Sequence, residues 1–327
     1  MSALVTRATR ASRIAGVVGL ALAGVLAALP WFSDIATERL IGEFMVYLAL
    51  ATLWNLLAGY AGLVSVGQQA FVGLGAYVLI SLVTLAGWNP LMAVPAAGLT
   101  AALVAGPVAA LLFRLQGAYF AIGAWVVAEV FRLVCAQIAV LGGGSGTSLT
   151  ALRGIEKATR ENATFWMALV FVVASIALVY LFLRSKRGLA LLAIRDNEVA
   201  AESQGIAVAG MKLAVYGVAA FGAGLAGALY FVGNLRISPD AAFSVNWTAF
   251  AIFMVVIGGI GRIEGPIVGA LIFWALNKFF SDYGTWYLLG LGLLAIVVTI
   301  FFKQGLWGWA QQRFGLSLFP TQRTLKL

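Results

Sequence analysis

Residues 167–183 read MALVFVVASIALVYLFL, a run of apolar side chains without one charged residue. A helix crosses the hydrocarbon layer of a membrane with about 20 mainly apolar residues, so this run supplies most of one crossing. Residues 288–302, LLGLGLLAIVVTIFF, repeat the pattern. The chain is 62% hydrophobic and 10% charged, whereas a soluble domain has about 25% charged residues. These features predict an all-α, polytopic membrane protein.

Hydropathy and helix-breaking residues predict a bundle of about ten transmembrane helices. The ten segments are residues 14–31, 40–58, 62–86, 90–113, 118–140, 163–183, 213–235, 247–260, 265–280 and 286–302. The transmembrane domain then covers 14–302, between an N-terminal segment, 1–13, and a C-terminal tail, 303–327.

The basic residues orient this bundle. With the N-terminus inside, inner segments hold fourteen Lys and Arg residues and outer segments hold six, which fits the positive-inside rule and puts both termini in the cytoplasm. Arg7, Arg10 and Arg13 before an apolar run imitate a signal peptide, but no small-residue cleavage site follows, so an uncleaved first crossing is expected. The net charge of +9 is better explained by anchoring at an anionic membrane face than by nucleic-acid binding.

Residues that commonly take part in catalysis or metal binding are scarce. The chain has one cysteine, Cys135, and no histidine, so neither a disulfide framework nor a metal site is predicted. No phosphate-binding loop of the G-x-x-x-x-G-K-S/T type is present, and no base and nucleophile set is recognisable. We therefore predict no enzymatic activity and no cofactor bound by this chain; any ATP and Mg²⁺ would be bound by partner subunits.

Two glycine-interrupted stretches suggest an internal repeat. GLVSVGQQAFVGLGAY occupies residues 62–77 and IGGIGRIEGPIVGA occupies 257–270. Interrupted segments at corresponding places in two halves are typical of transport paths. Because five crossings per half is an odd number, the hypothesis is two inverted five-helix halves. Most of the glycines are explained equally well by close helix packing.

Polar side chains inside apolar segments give the candidate path. Ser65, Gln68 and Gln69 could either form hydrogen bonds between helices or line a translocation path, because unpaired polar groups are costly in lipid. Glu129 lies deep in a predicted crossing, three residues before Arg132. That pair could be a structural clip or a proton-coupling site.

Two loops are long enough to contact other proteins. The outer loop, about 141–162, begins LGGGSGTSL, and the inner segment, about 184–212, contains IRDNEVAAESQG. In the inner segment a short helix is predicted over 197–204, with a possible cap at Asp196 and a stop at Gly205.

Five stretches, in order, carry a family resemblance. NLLAGYAGLVSVGQQAFVGLGAYV resembles the N-L-x-x-G-x-x-G-x-x-S-L-G-x-A-x-F-x-G-x-G-A-Y run of LivM-type permeases, which belong to branched-chain amino-acid ABC importers. The other four are RLQGAYFAIGAWVVAEVFRLV, RGLALLAIRDNEVAAESQGI, KLAVYGVAAFGAGLAGALY and IGGIGRIEGPIVGA. The stretches occupy residues 55–78, 114–134, 187–206, 212–230 and 257–270.

This resemblance implies a permease of the bacterial inner membrane that works with a second, LivH-like permease, two ATP-binding subunits and a periplasmic solute-binding protein. The residues expected to contact the ATPase are Arg195, Asp196, Asn197, Glu198 and Glu202. Those expected to meet the binding protein are Gly143, Ser145 and Thr147. The path candidates are Asn55, Ser65, Gln68, Gln69, Tyr119, Trp125 and Glu129.

Branched-chain amino acids are the expected cargo, but the sequence departs from the family pattern at positions that bear on it. Gln69 stands where the family has a small residue, and Ala124 and Trp125 replace Thr-Leu. Urea or short amides therefore remain alternative cargoes. A self-sufficient, proton-coupled secondary transporter is the main alternative function, but it leaves the IRDNEVAAESQG segment unexplained. An intramembrane enzyme and a channel fit less well.

Overall fold

A computed structural model describes residues 4–6, 10–149, 156–280, 284–315, 318–320 and 324–326. Within these ranges the chain is almost entirely helical. The helices are α1 (Arg10–Ala28), α2 (Ile35–Asn55), α3 (Gln69–Thr84), α4 (Pro90–Leu112), α5 (Ala118–Ala136), α6 (Lys157–Leu183), α7 (Lys186–Asp196), α8 (Glu198–Ser203), α9 (Val208–Asn234), α10 (Pro239–Ala242), α11 (Asn246–Gly258), α12 (Glu264–Phe280), α13 (Thr285–Phe301) and α14 (Gly305–Phe314). The strands are β1 (Leu4–Thr6), β2 (Thr147–Ser148), β3 (Arg236–Ile237) and β4 (Thr324–Lys326).

In the described ranges, eight helical stretches are long and apolar enough to cross a membrane. The polytopic helical class is therefore confirmed. Every one of the ten predicted segments coincides with a helix, but α3 and α12 have only 16 and 17 residues. The number of crossings stays a prediction.

The two largest differences between predicted and observed boundaries lie at the starts of α3 and α6. Helix α3 begins at Gln69, so the segment predicted from residue 62 is not helical at its start. The cause lies at Gly62, whose φ of 71° leaves the helical region and lets the chain turn. Helix α6 begins at Lys157, inside the predicted outer loop, because Arg160 and Glu161 form a buried ion pair that lets charged residues join the helix.

Local chemistry explains other helix starts. Asp34 caps α2: its carboxylate accepts from the backbone N–H of Thr37 at 3.4 Å and from the Thr37 hydroxyl at 2.6 Å. The bond from this hydroxyl lowers the pKa of the Asp34 carboxyl below its ordinary value. Asn89 caps α4 by accepting from Leu91 N at 2.9 Å, with Pro90 in the first turn, where its missing N–H costs nothing.

The centre of the bundle is formed by α2, α3, α4 and α9, with α6 against α2. Small residues bring the backbones together. A Cβ atom on Gly227 of α9 would lie 2.0 Å from the carbonyl oxygen of Val72 in α3, and one on Gly75 would lie 2.1 Å from that of Gly224. Burial of apolar area provides little driving force for helix association in lipid, so close backbone packing of this kind stabilises the bundle.

Two short antiparallel sheets connect distant parts of the chain. Strand β1 pairs with β4, and β2 pairs with β3. The β2–β3 pair attaches the predicted outer loop to the segment after α9. Residues 150–155 of that loop lie outside the described ranges.

The predicted helix of the inner segment is present as α8, but the predicted cap is wrong. Asp196 is the last residue of α7, a helix that was not predicted from the sequence. Asn197 caps α8 instead, accepting from Ala200 N at 3.0 Å. Gly205, with a φ of 82°, follows the end of the helix. The inner segment is therefore two helices joined at Asn197.

Candidate functional site: two helix breaks and the inner segment

The first helix break follows α2. The helix continues into a π-helical turn, Leu56–Tyr60, and ends at Ala61, and residues 62–68 then run in a non-helical conformation to the start of α3. The indole N–H of Trp54 donates to the carbonyl of Ser65 at 2.8 Å, so this segment lies back against α2. Ser65 also accepts from Gly67 N at 3.2 Å. Short interrupted helices of this type are where membrane transporters build binding and gating elements.

The N-termini of α3 and α11 meet inside the protein. The backbone N–H of Gln69 donates to the hydroxyl of Thr248 at 3.1 Å, and this hydroxyl donates to the Gln69 side-chain oxygen. Gln69 is fully enclosed, with 0% of its surface exposed. Among described residues, both amide atoms of Gln68 and the Gln69 Nε2 have no hydrogen-bond partner. This enclosure favours the interhelical alternative for Gln69 over the path alternative.

The second break lies between α11 and α12. Gly259 and Gly261 have φ angles of 131° and 74°, which turn the chain after α11. Asn55, at the end of α2, holds this turn on both sides. Its Oδ1 accepts from Gly261 N at 2.9 Å, and its Nδ2 donates to Arg262 O at 2.8 Å. The amide of Asn55 is thus satisfied by backbone groups 206 and 207 residues away in sequence.

Arg195 connects the inner segment to the first break. It lies one residue before the end of α7, and its Nη1 donates to the carbonyl of Gly59 at 3.1 Å. Its Nε and Nη2 donate to Asp196 at 3.0 and 2.9 Å. Its side chain also lies near Gly62 and Gly261. A side chain expected to point toward an ATPase therefore directs its guanidinium toward both helix breaks.

The outward surface of α8 is mixed apolar and acidic. Val199 is 77% exposed, and Glu198 and Glu202 beside it are exposed as well. Lys212 forms an ion pair with Glu198. The opposite side of α8 packs through Ala201 on Ile194 and Val208. The exposed valine was missed because a single apolar residue in a polar segment carries no periodic signal.

Arg262 and Glu264, next to the second break, form hydrogen bonds with residues of the C-terminal segment. The Arg262 guanidinium donates to the side-chain oxygens of Gln304 and Gln311. The Glu264 carboxylate accepts from the backbone N–H groups of Leu318 and Phe319, at 3.1 and 3.0 Å. No functional role was predicted for either residue from the sequence, although charged residues next to a glycine turn could have indicated one.

The remaining path candidates lie elsewhere, on α5. Tyr119 and Trp125 are exposed on its surface. Glu129 accepts from Arg132 Nε at 3.0 Å, and Arg132 Nη1 donates to Asp240 of α10 at 2.7 Å. The predicted pair is therefore a three-residue network between two helices. The structure does not gather all seven path candidates in one place: Asn55, Ser65, Gln68 and Gln69 are buried, and those on α5 are not.

The outer-loop candidates lie in a tight turn. The Ser145 hydroxyl donates to Gly142 O at 3.0 Å, and Thr147 pairs with Ile237 across the β2–β3 sheet. Gly143 has a φ of 54°. Ser145 is exposed. The loop thus presents a small, hydroxyl-bearing turn, which a docking protein could contact.

A cleft of about 400 Å³ lies between α4, α6 and α9. Its walls include Val94, Pro95, Trp166, Phe171 and Leu225. This apolar lining could hold a hydrocarbon chain, but it lacks charged groups to pair with the ammonium and carboxylate of an amino acid. The cleft is not the candidate site.

Comparisons with known proteins identify the family of the chain. Residues 36–302 match the family model described as "Branched-chain amino acid transport system / permease component". The chain belongs to this family. The resemblance to LivM-type permeases is thereby confirmed, and the protein is a transport permease with multiple membrane helices.

Two relatives cover most of the permease. It is 28% identical to the high-affinity branched-chain amino acid transport system permease protein LivM of Salmonella typhimurium, over 88% of this chain and 73% of the relative. The identity and coverage are the same for the LivM protein of Escherichia coli. A more distant match, 31% identical over 41% of this chain and 42% of the relative, is the ribose import permease protein RbsC of Haemophilus influenzae. No solved structure gives a significant match.

Proposed function

We propose that this permease is one transmembrane subunit of an ATP-driven importer whose cargo is a branched-chain amino acid. The cargo is suggested by the names of the two LivM relatives. The observation that carries the mechanism is the bond from Arg195 to the Gly59 carbonyl, which connects a surface helix pair to a helix break. A permease driven by another subunit needs such a connection, because the energy enters at the surface and the gate lies inside.

ATP is hydrolysed by separate subunits that dock on α8. Val199 enters an apolar groove of the ATPase, and Glu198 and Glu202 meet basic residues around it. When two ATPases close, α7 and α8 move as a rigid pair. Arg195 transmits this displacement to Gly59, and Asn55 passes it to the second break. Both breaks thus respond to one event at the surface.

The permease domain has ten crossings in two inverted halves, with both termini in the cytoplasm. The supporting observation is the meeting of α3 and α11 at Gln69 and Thr248. The chain reaches the N-terminus of α3 from the Gly59 side through residues 62–68. It reaches the N-terminus of α11 from the other side of the bundle, after β3 and α10. Two short helices approached from opposite sides are the arrangement expected of an inverted repeat.

The other partners follow from the same scheme. A second permease completes the path, and a periplasmic binding protein delivers the amino acid to the outer loop at Gly143, Ser145 and Thr147. The bonds from Arg132 to Glu129 weigh against the proton-coupled alternative. A carboxylate held by a guanidinium is a poor proton carrier at neutral pH.

Reconstitution into proteoliposomes tests the proposal. The complex of both permeases and both ATPases, with the binding protein outside and ATP on the ATPase side, is expected to accumulate labelled leucine. The permease alone, under an imposed proton gradient, is expected to accumulate none. Leucine uptake by the chain alone would support a secondary transporter. Uptake of urea but not leucine by the complex would replace the cargo and keep the ATP-driven machine.

A further inference from the structure

Helix α5 carries charged groups inside a predicted crossing, on a face that the rest of the described chain leaves open. Glu129 lies two residues past the middle of α5, about 3 Å along the axis at 1.5 Å per residue. The Glu129 side chain is 48% exposed, and the Asp240 side chain, bonded to the same Arg132, is 78% exposed. Glu129 and Arg132 therefore lie on a face that a lone chain would present to the bilayer, with Asp240 bonded to Arg132 beside them.

Neither lipid nor water is a suitable neighbour for this face. Charged side chains in membrane helices face the bundle interior or an aqueous cavity, because hydrocarbon cannot solvate them. The wall of an aqueous cavity should be mainly polar. Large apolar side chains on the same face, Ile122, Val126 and Val130, are each about half exposed. A face that mixes these with an ion-pair network has the composition of a protein interface.

The charge of the network indicates the kind of protein. Glu129 and Asp240 supply two carboxylates and Arg132 one guanidinium, which leaves a net charge of −1 that loses solvent when another protein covers the face. A second copy of this chain, related by a two-fold axis, would bring a second net negative charge to the same surface. Like charges in low dielectric repel strongly. A complementary neighbour offers a cation or hydrogen-bond donors instead.

We infer that α5 and α10 form the surface on which a second, non-identical membrane subunit packs, with a basic or hydrogen-bond-donating side chain at the level of Glu129 and Asp240. This inference rests on the proposed function, because that subunit is the second permease of the importer. Arg132 neutralises one carboxylate, and the partner neutralises the other. Trp125 lies on the same face and is half exposed, so it supplies an aromatic anchor for the partner.

Photo-crosslinking in membranes that contain the whole complex tests this assignment. A p-benzoylphenylalanine residue is placed at Val126 and, in a second variant, at Val130. A matched control places it at Leu103, an exposed apolar residue of α4. Illumination is expected to join the chain to a second polytopic subunit, identified by mass spectrometry, from both α5 positions and not from Leu103. Asp240→Lys, which reverses the net charge at an exposed position, is expected to abolish the adduct at Val126.

Three outcomes overturn the inference. An adduct with twice the mass of this chain identifies a second copy, adducts with lipid alone identify a lipid-facing surface, and an adduct that survives Asp240→Lys removes the role of charge. ATP-driven leucine uptake is measured in the same membranes. Uptake without the adduct refutes only the interface, whereas the adduct without uptake refutes only the proposed function.

Discussion

The hydrogen bond from Arg195 to the Gly59 carbonyl allows the effect of Arg195→Ala on transport coupling to be predicted quantitatively. A hydrogen bond from a charged donor is worth about 1.5–3 kcal/mol. The lower end applies here, because the Arg195 side chain is 38% exposed and water competes for it. About 1.4 kcal/mol corresponds to a tenfold change in an equilibrium. If this bond transmits the motion of α7 and α8, the variant should import about tenfold less amino acid per ATP hydrolysed.

The assay is the ratio of leucine accumulated to phosphate released in proteoliposomes that contain the whole complex. Arg195→Lys, which keeps a cation able to reach the carbonyl, should recover part of the ratio. Arg184→Ala is the matched control, because that arginine contacts Tyr180 of its own helix and neither break. The thermal midpoint of each purified variant shows whether a change reflects coupling or loss of fold. An unchanged ratio for Arg195→Ala, in a complex whose wild type transports leucine, would refute the transmission argument.

Three further predictions follow from contacts inside the fold. Asn55→Ala leaves two part-buried backbone groups unpaired, at about 1 kcal/mol each, so it should lower the thermal midpoint in detergent more than Asn246→Ala, at an exposed position of α11; equal midpoints would contradict the role of Asn55 in holding the turn. Gly227→Ala should reduce the yield of folded protein in the membrane, at about 1–3 kcal/mol of overpacking, whereas Gly233→Ala, with open space around it, should not; equal yields would refute the close packing. Val199→Asp should lower the amount of ATPase that co-purifies with the permease without changing its thermal midpoint, and full recovery of the ATPase would exclude α8 as the docking surface.

The sequence predicted the helices well because hydropathy reports directly on burial in lipid. Each of the ten apolar segments coincides with a helix over most of its length, and the largest errors occur where particular residues change the course of the chain. Gly62 delays the start of α3, and a buried ion pair lets α6 start early at Lys157. The cap of α8 was misplaced by one residue because Asp196 and Asn197 are both good N-caps. Only the presence of α7 decides between them, and its mixed sequence, KRGLALLAIRD, shows no long apolar run.

Contacts between residues that are distant in the chain could not be predicted from the sequence. Nothing in the stretch around Asn55 indicates that its amide holds a turn more than 200 residues later, because hydrogen-bond pairing depends on how helices pack. The same holds for Arg195, whose place near the end of an exposed helix suggests a docking contact, while its guanidinium reaches Gly59. Residue types could be predicted, but their partners could not.

Gln69 illustrates how knowledge of a hydrogen-bond partner changes the functional interpretation of a residue. From the sequence, a glutamine at a position where related permeases have a small residue suggests altered cargo. In the structure, the Gln69 side chain accepts from Thr248 and joins the N-termini of α3 and α11. The Gln69 amide therefore affects the contact between the N-termini of α3 and α11 directly. If both helices move when the breaks move, Gln69 affects the cargo through the opening of the path, and uptake rates should change for all amino acids together. Selectivity among amino acids would then be set by the binding protein.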